Sequence, residues 1–381
     1  MTWAWTLCGI LPLAVWLYLV LARGGFWRLR EFPRPAPAPA NWPEVVAIVP
    51  ARDEADTIGA AVQSLLGQDY PGRFAVVLAD DRSGDGTAGI ARAAAAGDER
   101  LHIVRTGDLP PGWSGKVRAM ATAVELAARQ HPDAAFLLFT DADIHHPPDG
   151  LRRLVAMAEA RRLDMVSLMV LLAREGAWQA LLIPAFVFFF RKLYPFSWVN
   201  GGRLAAAAGG CMLVRAGALV RAGGLATIRN AVIDDCALAR VIAGGGRLWL
   251  GMTGEWRSLR PYDGFAGVWR MVARSAYTQL RYSLPLLAGT VVGMIVTYVA
   301  PPLAVLAWPW HGDALAGLAG LTAWLLMAGA FRPMLVFYGV SPYLAPLLPL
   351  AGIVYTAITV DSARRHWQGR GAAWKGRVGA P

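Results

Sequence analysis

Residues 74–91 read FAVVLADDRSGDGTAGIA. A short apolar run ends on Asp80 and Asp81, a glycine turn follows, and alanine-rich residues suited to a helix come next. Gly84-Asp85-Gly86-Thr87-Ala88-Gly89 spells G-x-G-x-x-G, the letters of a dinucleotide-binding turn. Such a turn seats a pyrophosphate on bare backbone N–H groups at a helix N-terminus. Three carboxylates beside that anion would repel it unless a cation intervened, and the turn follows the second apolar run rather than the first. Arg105, after the next run, could serve a 2′-phosphate, so a dinucleotide reading stays open. The second reading has the aspartates accept hydrogen bonds from a nucleobase imide or from ribose hydroxyls, with Gly84 and Gly86 only shaping the turn. Asp85 can also cap the following helix.

The same alternation continues on both sides. Apolar runs at 45–50, 74–80, 101–104, 135–141 and 164–170 are separated by helical patterns such as 57–67 and 116–130. This predicts βαβ units and a mostly parallel sheet flanked by helices, an α/β domain over residues 44–260.

The 381-residue chain is 56% hydrophobic and only 17% charged, with 16 Trp, a composition leaning toward a membrane protein. Residues 3–21 carry no charge and are long enough to span a bilayer, and Arg23, Arg28, Arg30 and Arg34 follow them. A signal peptide would carry its positive charge first, so residues 1–24 read as an uncleaved anchor whose C-terminal end is cytosolic. Residues 25–43, rich in Arg, Pro and Ala, read as an extended linker. The apolar stretch 177–190 is too short to span, and 261–283 mixes aromatic and basic residues; both suit the membrane interface, the first equally well a buried core helix. Residues 284–361 supply candidate spans at 284–308, 314–331 and 334–360, with Pro342, Pro346 and Pro349 marking a candidate re-entrant segment. The basic tail 362–381, with Arg364, Arg365, Arg370, Lys375 and Arg377, prefers the cytosol, which conflicts with three spans after a cytosolic domain. The net charge of +11 fits membrane topology and anionic lipid. No zinc spacing or nucleic-acid module accompanies it, so nucleic acid is not an expected partner. Cys8, Cys211 and Cys236 form no disulfide pattern and fit a reducing compartment.

Asp141-Ala142-Asp143 closes the fourth run, where open α/β sheets bind ligands at their carboxyl edge. Oxygen donors there suit a hard divalent cation, Mg2+ or Mn2+, that neutralises a diphosphate leaving group. His145 and His146 read as loop residues or extra ligands. Asp234-Asp235 opens a helical stretch, where adjacent acids either cap the helix or supply a general base. Gly209-Gly210-Cys211-Met212 brings bare backbone close to something, an acceptor or sugar. Trp113-Ser114-Gly115-Lys116 offers a cation to the diphosphate or merely begins a helix.

Together these motifs resemble the inverting family 2 glycosyltransferases of GT-A fold, over roughly residues 44–283. VVAIVPARDE (45–54) resembles that family's first strand, with Pro50, Ala51, Arg52 and Glu54 at its tip. SLLGQDYPG (64–72) resembles the link into the second strand, and ADDRSGDGT (79–87) the uridine-binding loop. The resemblance implies that Asp80 and Asp81 face the donor's base and ribose. It implies further that Asp143, with Asp141, holds the metal and that Asp235, beside Asp234, is the catalytic base. Lys116 and Asp141 would also meet the donor, and Gly210 and Cys211 the acceptor. The family's processive members carry Q-x-x-R-W, whereas this chain has Gln279-Leu280-Arg281-Tyr282, which puts processive synthesis in doubt and leaves Arg281 a weaker donor contact. Within the family, W-S-G-K, T-D-A-D-I-x-H, I-D-D-C-A-L and T-Q-L-R-Y-S resemble the hopene-associated glycosyltransferases, and the architecture resembles ceramide glucosyltransferases. The resemblance implies a multi-pass protein of the bacterial inner membrane, its catalytic domain cytosolic, moving a sugar from a nucleotide-diphosphate donor (UDP-linked) to a lipid hydroxyl. The alternatives are a polyprenyl-phosphate or polysaccharide acceptor, an NADP-dependent membrane oxidoreductase, and an inactive membrane scaffold.

Overall fold

The computed structural model describes residues 2–370, so the expectation for Lys375 and Arg377 lies outside the described residues. The chain forms two compact units. One comprises Glu31–Ala173 and Trp198–Pro261; the other comprises residues 2–30, Arg174–Ser197 and residues 262–370.

The first unit is built on eight strands: β1 Val45–Ala51, β2 Phe74–Asp80, β3 Leu101–Arg105, β4 Phe136–Thr140, β5 Ile144–His145, β6 Met165–Leu171, β7 Cys211–Arg215 and β8 Leu248–Ser258. They lie in one sheet in the order β3-β2-β1-β4-β7-β6-β8-β5. β1 pairs in parallel with β2 and β4, β2 with β3, and β6 with β8. β7 runs antiparallel between β4 and β6, and β5 runs antiparallel to β8. The outcome is a mixed, mostly parallel sheet. All seven residues of β1 and of β2 are buried, as continuous Val/Ile/Leu-rich runs covered on both faces require. Their core also takes in Ile58, Val62 and Leu65 of the helix Ile58–Leu66, and Leu151, Leu154 and Val155 of the helix Gly150–Arg161. Full burial of each such side chain contributes about 1.5–3 kcal/mol.

Register decides what the sheet's carboxyl edge displays. Ala51 lies opposite Asp80, and Asp80 opposite Arg105, so β1, β2 and β3 end level. β4 ends one residue before Asp141. β7 enters at the same edge, Thr140 opposite Cys211, which brings Gly209 and Gly210 beside the D-x-D turn.

The second unit holds the apolar helices. Among the described residues five are long and apolar enough to cross a membrane: Trp3–Leu21, Gly176–Leu193, Leu284–Leu306, Ala314–Phe337 and Pro342–Trp367. Three differ from the sequence reading. The stretch 177–190, expected to be too short, extends to an 18-residue helix that groups with the other apolar helices rather than with the α/β unit. The helix from Ala314 continues through Pro333 to Phe337, because an apolar helix packed on neighbours tolerates one lost hydrogen bond. Leu284–Leu306 contains a π turn at Ile295–Val299, just before Pro301 and Pro302. The proline segment near 342 forms a 3₁₀ turn, Pro342–Leu347, leading into Leu348–Trp367. The stretch 261–283 is two short helices, Gly264–Ala273 and Ala276–Gln279, broken at Arg274-Ser275.

Candidate active site

Lys116 stands at the start of the helix Gly115–Gln130, which Ser114 caps by accepting from the Val117 N–H. Its Nζ lies 2.8 Å from Asp141 Oδ1 and 3.0 Å from Asp234 Oδ2. One ammonium thus joins the D-x-D turn after β4 to the acidic pair that opens the helix Asp234–Ala243. Burial works against the charged lysine, but Asp141 and Asp234 outweigh it and hold the ammonium well above the usual lysine range.

Asp235 turns the other way. Its Oδ2 accepts the Gly209 N–H at 2.9 Å and its Oδ1 the Cys236 N–H at 2.6 Å. Burial and then the Asp234 charge push this carboxyl up to about 6; Lys116 and the two N–H groups pull the other way. A carboxylate near neutrality, fixed by a backbone N–H, has the properties of a general base. The helix's N-cap position is Ile233, without a side-chain cap, and the two acids occupy its first turn.

Asp143 is buried, and its Oδ2 accepts from Ser258 Oγ at 2.9 Å and Arg260 Nε at 3.2 Å. Burial and the nearby Asp141 raise its pKa, and Arg260 lowers it. The Arg260 guanidinium also pairs with Glu54. Sequence reasoning missed Arg260, because a lone arginine after a strand carries no pattern. Through it the buried Glu54 carboxylate ties the β1 tip to Asp143.

Among the described residues no group of three or more His, Cys, Asp or Glu side chains could hold a metal ion by itself. Asp141 and Asp143 nevertheless offer only oxygen donors. They fit a hard cation that keeps its waters and takes its other ligands from a diphosphate, not one that needs a protein cage. His146 is not a ligand. Its Nδ1 accepts from Trp256 Nε1 at 3.1 Å, which leaves Nε2 the protonated nitrogen; Nε2 donates to Thr140 Oγ1 at 2.9 Å, and Thr140 in turn donates to the Gly210 carbonyl at 2.9 Å. Burial lowers this imidazole to about 3, so it stays neutral and braces the D-x-D turn.

In the glycine turn the Ser83 N–H donates to Asp80, Gly84 N–H to Asp53 and Thr87 N–H to Asp85. Three of the turn's N–H donors are thus engaged by the chain's own carboxylates, which counts against a dinucleotide pyrophosphate there. Asp85 also accepts from Thr87 Oγ1 at 2.5 Å and the Ala55 N–H at 2.9 Å, the local role weighed for it. Asp81 is buried, accepting from Thr106 Oγ1 at 2.6 Å, while its backbone carbonyl accepts from Arg52 at 2.6 Å. Asp81 thus joins the β1 and β2 tips through Arg52 and Thr106. Asp80, at the end of β2, remains at the edge with Pro50 and Ala51.

Two further expectations are corrected. Cys211 is fully buried inside β7 and cannot touch an acceptor. Gly210 is bare because a Cβ there would lie 2.8 Å from Val170, a demand of strand packing. Gly209, with its N–H on Asp235, is the glycine at the site. Arg281 belongs to the other unit, at φ +53, and the cluster described here is built without it.

Residues 46–218 match the profile of Glycosyl transferase family 2. The matched stretch is less than half of the chain, and the sheet with its flanking helices is of GT-A type. A stretch of 115 residues is 36% identical to the beta-monoglucosyldiacylglycerol synthase of Synechocystis sp., covering 30% of this chain and 22% of that protein. A mannosyltransferase of Pyrobaculum calidifontis, solved with GDP-Man and Mn2+, superposes with a TM-score of 0.57 over 97% of this chain and 98% of its own. At 21% identity that likeness is one of fold.

Proposed function

We propose that this protein is a membrane-bound, inverting glycosyltransferase that moves a sugar from a nucleotide-diphosphate donor, UDP-linked, to a hydroxyl of a lipid acceptor. The observation that carries the reading is the Lys116 bridge: Asp141 and Asp234, far apart in the chain, meet on one ammonium, with Asp235 beside it.

In this reading Asp80 and the β1 tip at Pro50, Ala51 and Arg52 receive the nucleoside, and Lys116 faces the diphosphate. Asp141 and Asp143 are the residues that would hold Mg2+ or Mn2+, and a cation bound there supplies charge neutralisation of the leaving diphosphate. Asp235 takes the proton from the acceptor hydroxyl as its oxygen attacks the anomeric carbon on the face opposite the leaving group. The C1–O bond to the diphosphate breaks with its electron pair, and a single displacement inverts the configuration. Asp234 stays paired with Lys116 and keeps Asp235 basic. The five apolar helices would hold this unit on a bilayer of the bacterial inner membrane, where a lipid hydroxyl is concentrated. A diacylglycerol-type lipid is supported by the curated relative's name, and a hopanoid alcohol by the motif resemblance.

The test is the purified chain with a panel of UDP- and GDP-sugars, with and without Mn2+, against extracted membrane lipids, read by mass spectrometry. A glycolipid formed from a UDP-sugar and dependent on the cation is the expected product. Products only on polyprenyl phosphate or polysaccharide would move the acceptor class, and no transfer from any donor would sink the enzyme reading.

A further inference from the structure

Both aspartates of the D-x-D turn are already ion-paired to cations of the chain, Asp141 to Lys116 and Asp143 to Arg260. Arg260 is gripped on two sides, by Asp143 and by Glu54, and Ser258 shares the same Asp143 oxygen. A guanidinium and a divalent cation on one carboxylate repel strongly. An anion between them removes that cost. The glycosyltransferase reading supplies one, the donor's diphosphate.

We propose that Arg260 is an internal counter-ion that makes cation binding at Asp143 conditional on the nucleotide. Without donor, the guanidinium occupies the carboxylate and the site takes up metal poorly. With donor, the diphosphate offsets the repulsion, and cation and nucleotide bind cooperatively. The coupling is reciprocal, since each ligand raises the other's affinity by the same factor. Arg260 is thus a positioning residue. This inference rests on the proposed function, but it concerns binding and not turnover.

The experiment measures Mn2+ affinity of the purified full-length chain by isothermal titration and electron paramagnetic resonance, with and without UDP. Three proteins are compared: wild type, Arg260→Lys, and Glu54→Gln/Arg260→Gln. The double variant removes Arg260 together with one of its two carboxylate partners, so the local net charge is unchanged, and Asp143 keeps its hydrogen bond from Ser258. Mn2+ alone is expected to bind the double variant at least tenfold more tightly than wild type. UDP should then improve Mn2+ affinity less in the double variant than in wild type. Arg260→Lys, which keeps the charge, should stay within about threefold of wild type. Equal Mn2+ affinity in wild type and double variant, or equal tightening in the lysine variant, overturns the counter-ion. Failure of all three proteins to bind Mn2+ even with UDP overturns it together with the metal-dependent reading of the site.

Discussion

As the proposed base Asp235 would act only when ionised, and burial beside Asp234 pushes its pKa up to about 6. A raised carboxyl pKa leaves more of the protonated, inactive form at low pH. Turnover should therefore fall tenfold per pH unit below about 6 and level off above it, in a pH–kcat profile under saturating donor. Lys116 is the cation opposing that shift. Lys116→Met should move the acid limb to higher pH; an unmoved limb would mean that another group titrates. At this scale the sequence pointed to several members of the candidate cluster. Lys116, Asp141 and Asp234, which the structure joins in one ion-paired cluster, could be picked out as candidates, because charged residues at strand and helix ends stand out. Arg260 could not, since its meaning lies in Asp143 and Glu54, remote in the chain. Gly210 and Cys211 were misread for a related reason: bare backbone looks the same in sequence whether a ligand or a neighbouring strand approaches it.

The elements of the carboxyl edge were legible where their signal was local. Apolar β-branched runs marked β1, β2, β3, β4 and β6, which are strands in the structure. β7 and β8 escaped notice, since β7 is five residues behind a glycine pair and β8 mixes Gly, Thr and Glu into its run. Yet β7 places Gly209 against Asp235, so its packing on β6 should be felt at the site. Gly210→Ala inserts a Cβ 2.8 Å from Val170, a small-to-large change that costs about 1–3 kcal/mol. A lowered thermal midpoint is expected, partly restored by adding Val170→Ala. A midpoint equal to wild type would show that the strands do not press so closely. The helix boundaries moved for a different reason: Pro333 breaks a helix in water but not one whose neighbours shield the lost bond.

For the whole molecule, composition already divided the chain into an α/β part and an apolar part, and the two compact units follow that division except at Arg174–Ser197. That segment joins the apolar helices because most of its face is apolar, a choice its short uncharged run left undecided. Five helices of this length and hydropathy predict that the protein stays with the bilayer when membranes are washed at alkaline pH, read by immunoblot of pellet and supernatant. Release into the supernatant would contradict a multi-pass arrangement. The central claim, that distant acidic clusters serve one donor with Asp235 as base, is tested most directly by measuring turnover and donor affinity together for Asp235→Asn. Turnover should drop by about 10²–10⁴-fold while the donor Kd stays within a few-fold of wild type. Near-normal turnover, or a loss of donor binding as large as the loss of rate, would contradict it.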